Sequence, residues 1–300
     1  MKVLVTGITG KSGRSFFQEL CDHSSMLDNY HFDFVVRDIN KANFIGNAPF
    51  KCSVVKCDLS DRSQVSQILN EGGYNQILNI AGISKSPILI EEGINSGIEW
   101  FIMVHTTGIY SKYKSASASY KAREEHIMSV LSKTSCKITI LRPTMIYGTL
   151  DDRNVSVFIK MVDRLRLFPV VSGAKFLLQP VWYKDLGRAY FQCMMNKDNI
   201  LETDYVLSGA EPIMLLDMFK EIANQLNVKN FYFSIPFPLA YIGACFIYLL
   251  SFHKVDYREK VQRLVEPRAY NHDNATRDFG YNPVKFKEGV KQEILEYKNK

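Results

Sequence analysis

The sequence predicts an α/β protein, a doubly wound parallel sheet with crossover helices followed by a smaller C-terminal lobe. Three observations predict it. Apolar strand-like runs alternate with helix-like stretches through the first half of the 300 residues. The first run, Lys2–Thr6, enters Gly7-Ile8-Thr9-Gly10-Lys11-Ser12-Gly13, a glycine-spaced turn that leads into a helix near Arg14–Cys21. Beyond about residue 150 the alternation loosens, and helices separate shorter strands.

Further strands are expected at residues 31–37, 53–57, 76–81, 100–105 and 137–141, each an apolar run bounded by polar residues. Ser60 or Asp61 is placed to cap the helix after the third strand. The second half reads as a helix over 155–167, a strand over 176–181, a helix over 183–195 and a strand over 205–207. Helices over 213–226, 238–251 and 286–297 follow. The division expected is a sheet domain over residues 1–150, with 176–208 returning to it, and a smaller lobe of 151–175 and 209–300.

Composition narrows the class. With 46% apolar residues a large core is available and disorder is excluded. The net charge of +6 is mild, and no basic stripe points to nucleic acid. The six cysteines form no CxxC pair, so they read as reduced thiols rather than metal ligands, and the reading is a cytoplasmic protein. One stretch stands apart. Residues 231–252 carry no charge, yet Pro236 and Pro238 leave a helix of about 14 residues, too short to cross a bilayer of ~30 Å. It reads as a packed helix of the lobe or as a peripheral membrane contact over 238–251.

The glycine turn is the strongest local signal. Glycine lets backbone amides come close to a phosphate, and the following helix points its positive end at the same place. Thr6-Gly7-Ile8-Thr9-Gly10-Lys11-Ser12-Gly13 resembles the cofactor loop of the extended and atypical short-chain dehydrogenases/reductases, the family of NAD(P)-dependent nucleotide-sugar epimerases and dehydratases. The likeness continues through Leu141-Arg142-Pro143, Ile146-Tyr147-Gly148, Gln179-Pro180-Val181, Leu207-Ser208-Gly209 and the ending Gly280-Tyr281-Asn282-Pro283.

The resemblance implies a Rossmann domain whose cofactor touches Gly7, Thr9, Gly10, Lys11, Ser12 and Gly13 in the loop. Asp58 and Leu59 would meet the adenine, Ala81 and Gly82 the adenosine side, and Pro143 and Ile146 the far end. At the end of the second strand an acidic residue suits a ribose hydroxyl, whereas an arginine suits a 2′-phosphate. Arg37 stands there, so NADP is expected. Asp38 follows it, and a shift of one residue would make the cofactor NAD.

The family's chemistry uses a hydroxyl, a tyrosine and a lysine four residues after that tyrosine, whose charge makes the phenol a usable acid/base. Thr106 matches the hydroxyl and Lys121 the lysine, but Ser117 occupies the tyrosine's place. Tyr110 and Tyr120 are the nearby alternatives. Tyr110 begins a literal YxxxK that ends at Lys114, whereas four residues after Tyr120 comes Glu124. His105 reads as a structural histidine or as a proton-transfer aid. For substrate, the resemblance points to Tyr147 and to Arg268 as the diphosphate-binding arginine. It implies a nucleotide sugar or a related hydroxy or keto metabolite, and homodimers are common in the family. The missing tyrosine keeps two other classes open: a non-catalytic, NADP-holding assembly protein, and a sensor of nicotinamide redox state.

Overall fold

A computed structural model describes residues 1–113 and 115–299 of the chain. The first half alternates as expected: β1 (Lys2–Thr6), α1 (Lys11–Asp22), β2 (His31–Val36), β3 (Cys52–Lys56), α2 (Arg62–Gly72), β4 (Gln76–Asn79), α3 (Ser86–Gly93), β5 (Trp100–Val104), α4 (Ser117–Leu131) and β6 (Lys137–Pro143). Then come β7 (Ile146–Tyr147), α5 (Val155–Arg164), β8 (Leu167–Val171), β9 (Leu177–Leu178), β10 (Val181–Trp182), α6 (Tyr183–Met195) and β11 (Asp204–Leu207). The chain closes with β12 (Ile213–Met214), α7 (Leu215–Leu226), β13 (Phe231–Ile235), α8 (Phe237–Leu250), α9 (Arg258–Leu264), α10 (Asp273–Phe279) and α11 (Phe286–Lys298).

Seven strands form one sheet in the order β11-β6-β5-β4-β1-β2-β3, every neighbouring pair parallel. Strands buried on both faces must be apolar throughout, which is why Val3-Leu4-Val5 and Trp100-Phe101-Ile102-Met103 run without polar breaks. One face packs Phe16 and Leu20 of α1 against Leu186 and Tyr190 of α6. The other packs Val65 and Leu69 of α2, Leu89 of α3 and Ile127 of α4. A third cluster, with Ile159, Phe168, Met218, Phe219 and Val290, forms the core of the lobe. Strand order reverses between β1 and β4, where open parallel sheets bind ligands at the strands' carboxyl ends.

Several expectations shift. Asp61, not Ser60, caps α2, accepting hydrogen bonds from the amides of Ser63 and Gln64. The helix from Val155 ends at Arg164, because Leu167–Val171 is drawn into a parallel pair with Phe231–Ile235. The strand expected over 176–181 is two short pieces separated by Gln179 and Pro180. Expected with the lobe, α10 instead buries Ala275 and Phe279 in the sheet's own core.

A buried hydrogen-bond chain crosses the carboxyl edge of the sheet. Thr6 at the end of β1 donates to the Asn79 side chain at 2.7 Å, and Asn79 donates to Ser86 Oγ at 3.0 Å. Ser86 meets His105 Nε2 at 2.9 Å, and His105 Nδ1 meets Glu124 at 2.8 Å. Arg142 closes a bidentate pair on Glu124 at 2.6 and 2.8 Å and reaches Asp204 at 2.6 Å. These partners make His105 a neutral Nδ1–H tautomer, with Nε2 accepting from Ser86. Burial lowers its pKa further, against the pull of Glu124. Burial also opposes ionisation of Glu124, but hydrogen bonds from His105 and Arg142 outweigh it and hold the carboxyl at about 2.

Glu124→Ala strands Arg142 in the interior and is expected to cost about 3 kcal/mol. Asp204→Ala, whose carboxylate is 46% exposed, should cost less than ~1 kcal/mol. Urea unfolding of the two variants at unchanged slope checks the ordering.

Candidate functional site

The glycine turn closes between β1 and α1. A Cβ on Gly7 would lie 2.6 Å from the Ala81 amide, and one on Gly13 would lie 2.3 Å from the Gly7 carbonyl. Those two glycines are therefore demanded by the packing of β1, β4 and α1. Gly10 differs, since its Cβ would meet only the Gly7 carbonyl at 3.3 Å and otherwise project into open space. It stands at the start of α1, whose first amides receive no side-chain cap. The mouth of α1 thus keeps room and unpaired donors for an anion.

Beside it lies a cavity of about 220 Å³ lined by Gly7, Thr9, Arg37, Asp58, Leu59 and Ala81, six of the expected contacts brought together by four strand ends. Lys85, which the sequence reading missed, also lines it and reaches Ser60 Oγ. Its signal was present in the sequence as a basic residue just after the Ala81-Gly82 turn. A hydrogen bond from the Ser60 amide leads the effects that lower the Asp58 pKa, so that carboxylate is ionised. Asp38 faces elsewhere, because its carboxylate accepts from the Asn40 amide and caps a short 3₁₀ turn. Lys11 pairs with Asp151 at 3.4 Å across the opening.

A second cavity, about 290 Å³, opens at the ends of β5 and β6. Thr106, Ile146 and Arg268 share it with Thr144, Gln179 and Tyr270. Thr106 stands at the cap of the 3₁₀ turn 107–110, its hydroxyl accepting from the Gly108 amide at 3.0 Å. Pro143 shapes the same edge, its carbonyl accepting from Thr107. Gln179 and Ser208 clamp the chain at Tyr270: Gln179 accepts from the Tyr270 amide, and Ser208 donates to its carbonyl. Gln179 also donates to the Gly209 carbonyl, where a Cβ on Gly209 would lie 2.1 Å from the Pro180 carbonyl. The Gln-Pro-Val and Leu-Ser-Gly segments are thus one structural device.

A larger, mostly apolar cavity of about 630 Å³ adjoins this one, and Met145, Asn154, Arg263 and Arg268 line both. The Nε atoms of Arg263 and Arg268 are buried without a hydrogen-bond partner among the described residues. Burial, then repulsion from Arg263, brings the Arg268 guanidinium down to about 10, with Glu266 opposing. Two guanidinium groups with buried, unpartnered Nε atoms leave donors that suit an anionic group.

The expected catalytic residues assemble in part. Ser117, Lys121 and Glu124 lie on one stripe of α4. Ser117 is committed to the Ile109 carbonyl, and Lys121, exposed between the two buried residues, forms no hydrogen bond or ion pair among the described residues. Tyr110 is exposed, with its ring near Arg142 and 5.6 Å from the ring of Tyr270. Lys114, the end of its YxxxK, lies outside the described residues. Tyr120 is half-buried on α4. His105 has both ring nitrogens committed and is part of the framework.

Tyr147 does not reach the substrate cavity. It is 1% exposed and packs on Phe286, because α11 crosses directly over it at Gly289. Four residues along α11, the Glu293 carboxyl is buried beside the Asp152 carboxyl and the Gly148 amide. Burial first, then the charge of Asp152, pushes it up to about 9. The native state therefore holds Glu293 protonated at neutral pH, while the unfolded chain ionises it near 4.5. Stability is lost as pH rises from about 4.5 towards 9. Glu293→Gln should raise Tm, by more at pH near 8 than near 5, and thermal melts at the two pH values check the slope.

Residues 3–95 match the model of the NAD dependent epimerase/dehydratase family. The uncharacterized protein YbjS of Escherichia coli is 20% identical over 271 residues, covering 80% of this chain and 79% of that one. UDP-glucose 4-epimerase of Thermotoga maritima, solved with UDP-glucose, superposes with a TM-score of 0.71 at 15% identity, covering 100% of this chain and 99% of that one. UDP-glucuronic acid 4-epimerase of Bacillus cereus, solved with NAD, gives 0.70 at 17%, with 100% and 99% covered. The dTDP-glucose 4,6-dehydratase DesIV of Streptomyces venezuelae gives 0.71 at 14%, with 100% and 97% covered. Residues 3–95 are thus similar to the NAD dependent epimerase/dehydratase family, and over its whole length the chain carries the fold of these solved enzymes.

Proposed function

We propose that the protein is an NADP-dependent oxidoreductase or epimerase/dehydratase acting on a hydroxy or keto compound that carries a phosphate, such as a nucleotide sugar. One observation carries this reading: Thr106 and Arg268, far apart in the chain, line a single cavity at the sheet's carboxyl edge. The solved relatives bind UDP-glucose, UDP-glucuronic acid and NAD, which supports the substrate class and a nicotinamide cofactor.

Arg37 and Lys85 in the adenosine-side cavity, with Asp38 turned to capping, favour a 2′-phosphate. Gly10 and the open mouth of α1 would hold the pyrophosphate, and Lys121 the nicotinamide ribose. When bound, the nicotinamide exchanges hydride with the substrate carbon. Thr106 orients the reacting oxygen, and Arg263 with Arg268 holds the phosphate. Tyr270 lines the cavity beside Thr106, and burial first, then Glu266, raises its phenol. A phenol held protonated donates a proton rather than taking one, so Tyr270 would supply the proton when hydride reduces a substrate carbonyl, which favours a reductase among these reactions.

Mass spectrometry of nucleotide released on denaturation, with titration of both cofactors, tests the cofactor. Arg37→Ala should weaken NADP(H) binding about tenfold or more relative to NAD(H), one charge-assisted pair being worth roughly 1.5–3 kcal/mol. Thr106→Val and Tyr270→Phe should lower turnover about 10²–10⁴-fold with cofactor affinity unchanged.

Ser117 in the tyrosine's place is the observation that favours the alternative, a non-catalytic NADP holder. That reading predicts loss of thermal stability on removing NADP and no turnover with any sugar nucleotide.

A further inference from the structure

The uncharged segment 231–252 lines none of these three cavities. It forms β13, which pairs in parallel with β8, and then α8. The helix turns one face inward: Ala244 is buried, and the Tyr248 ring lies 3.9 Å from the Arg258 guanidinium at the start of α9. The opposite half is apolar and open. Leu239, Ile242, Phe246, Leu249 and Leu250 recur on that side, Ile242 at 63% and Phe246 at 61% exposure, and Phe252 beyond the helix reaches 86%. The outer face of the strand pair continues the surface, with exposed Phe231 and Phe233 in register with Leu167 and Pro169. Together they expose on the order of 1,000 Å² of apolar area, well above the roughly 300–600 Å² of the largest patch on a typical monomer.

Charge selects what covers it. At the start of the strand pair stand Arg164, Arg166 and Lys229, and past the helix stands Lys254, all exposed. None has an acidic partner among the described residues, and the nearby Asp256 is taken by Arg258. Between Asn230 and Lys254 there is no Asp or Glu at all. A two-fold contact with a second copy would bring these cations against their own kind with no acid in the patch to offset them. An anionic bilayer accepts both features, apolar side chains below the headgroups and basic ones among the phosphates. Fourteen residues at 1.5 Å rise reach about 21 Å, short of a ~30 Å hydrocarbon core. The helix therefore lies in the surface and does not span.

We infer that the outer face of α8 and the β8–β13 pair seats the protein on an anionic phospholipid surface. Seating places α9 next to the lipid, and α9 contributes Lys260, Arg263 and Leu264 to the wall of the larger cavity.

Flotation of the full chain with phosphatidylcholine vesicles, with and without phosphatidylglycerol, tests this. The wild type should float with the anionic vesicles and about tenfold less with the neutral ones. Ile242→Glu/Phe246→Glu should abolish flotation while keeping the wild-type melting curve, because both side chains are already in water. Lys229→Glu/Lys254→Glu keeps the apolar face and should lower binding to anionic vesicles several-fold. The inference is overturned if the wild type stays in solution, or if Ile242→Glu/Phe246→Glu floats as well as wild type. It is also overturned if light scattering finds a dimer that this double variant converts to monomer, which would assign the face to a second copy.

Discussion

The hydrogen-bond chain across the carboxyl edge of the sheet is the constraint on which the rest depends. It takes one group from β1, one from β4, one from just beyond β5, one from β6 and one from β11, in their spatial order, with Ser86 of α3 and Glu124 of α4 between them. The ends of parallel strands leave backbone groups unpaired where loops depart, and both cavities open at those ends. A buried chain with its members satisfied ties the five strands together, and breaking its Glu124–Arg142 link would leave a charge in the interior. Thr106 follows His105 directly, so the edge that lines the second cavity is anchored through its neighbour.

The two cavities obtain their shape differently. The one beside the glycine turn owes its form to close backbone approach, because Gly7 and Gly13 let β1, β4 and α1 pack where a side chain would collide. The one at Thr106 is closed by segments distant in sequence, with Gln179, Ser208 and Gly209 holding the chain at Tyr270. Its cations come from α9 and the segment after it, the same part of the molecule that carries the apolar helix. The arginines of this cavity and the exposed apolar surface are therefore built on neighbouring pieces of the lobe.

Ser117 shows how a family pattern and a local environment can part. The hydroxyl sits at the start of α4, where the resemblance calls for a phenol, yet it is turned to the Ile109 carbonyl and buried. Lys121 keeps its place one turn later and remains open. The phenol that does line the cavity, Tyr270, comes from the far end of the chain. Proximity in the fold, and not spacing along α4, brings it beside Thr106.

By itself the sequence determined the parallel sheet and the glycine turn, because these follow from local rules: apolar runs bounded by turns, and glycine where the backbone must pass closely. The helices at 183–195 and 286–298 and the short helix at 237–250 were legible for the same reason. Only tertiary structure decided that Leu167–Val171 pairs with Phe231–Ile235, since two isolated apolar runs do not announce their partner. It decided that Tyr147 is core beneath α11, that Asp38 caps a turn, and that Arg263, Arg268 and Tyr270 face Thr106. Each of those depends on contacts between residues far apart in the chain, which no periodicity records.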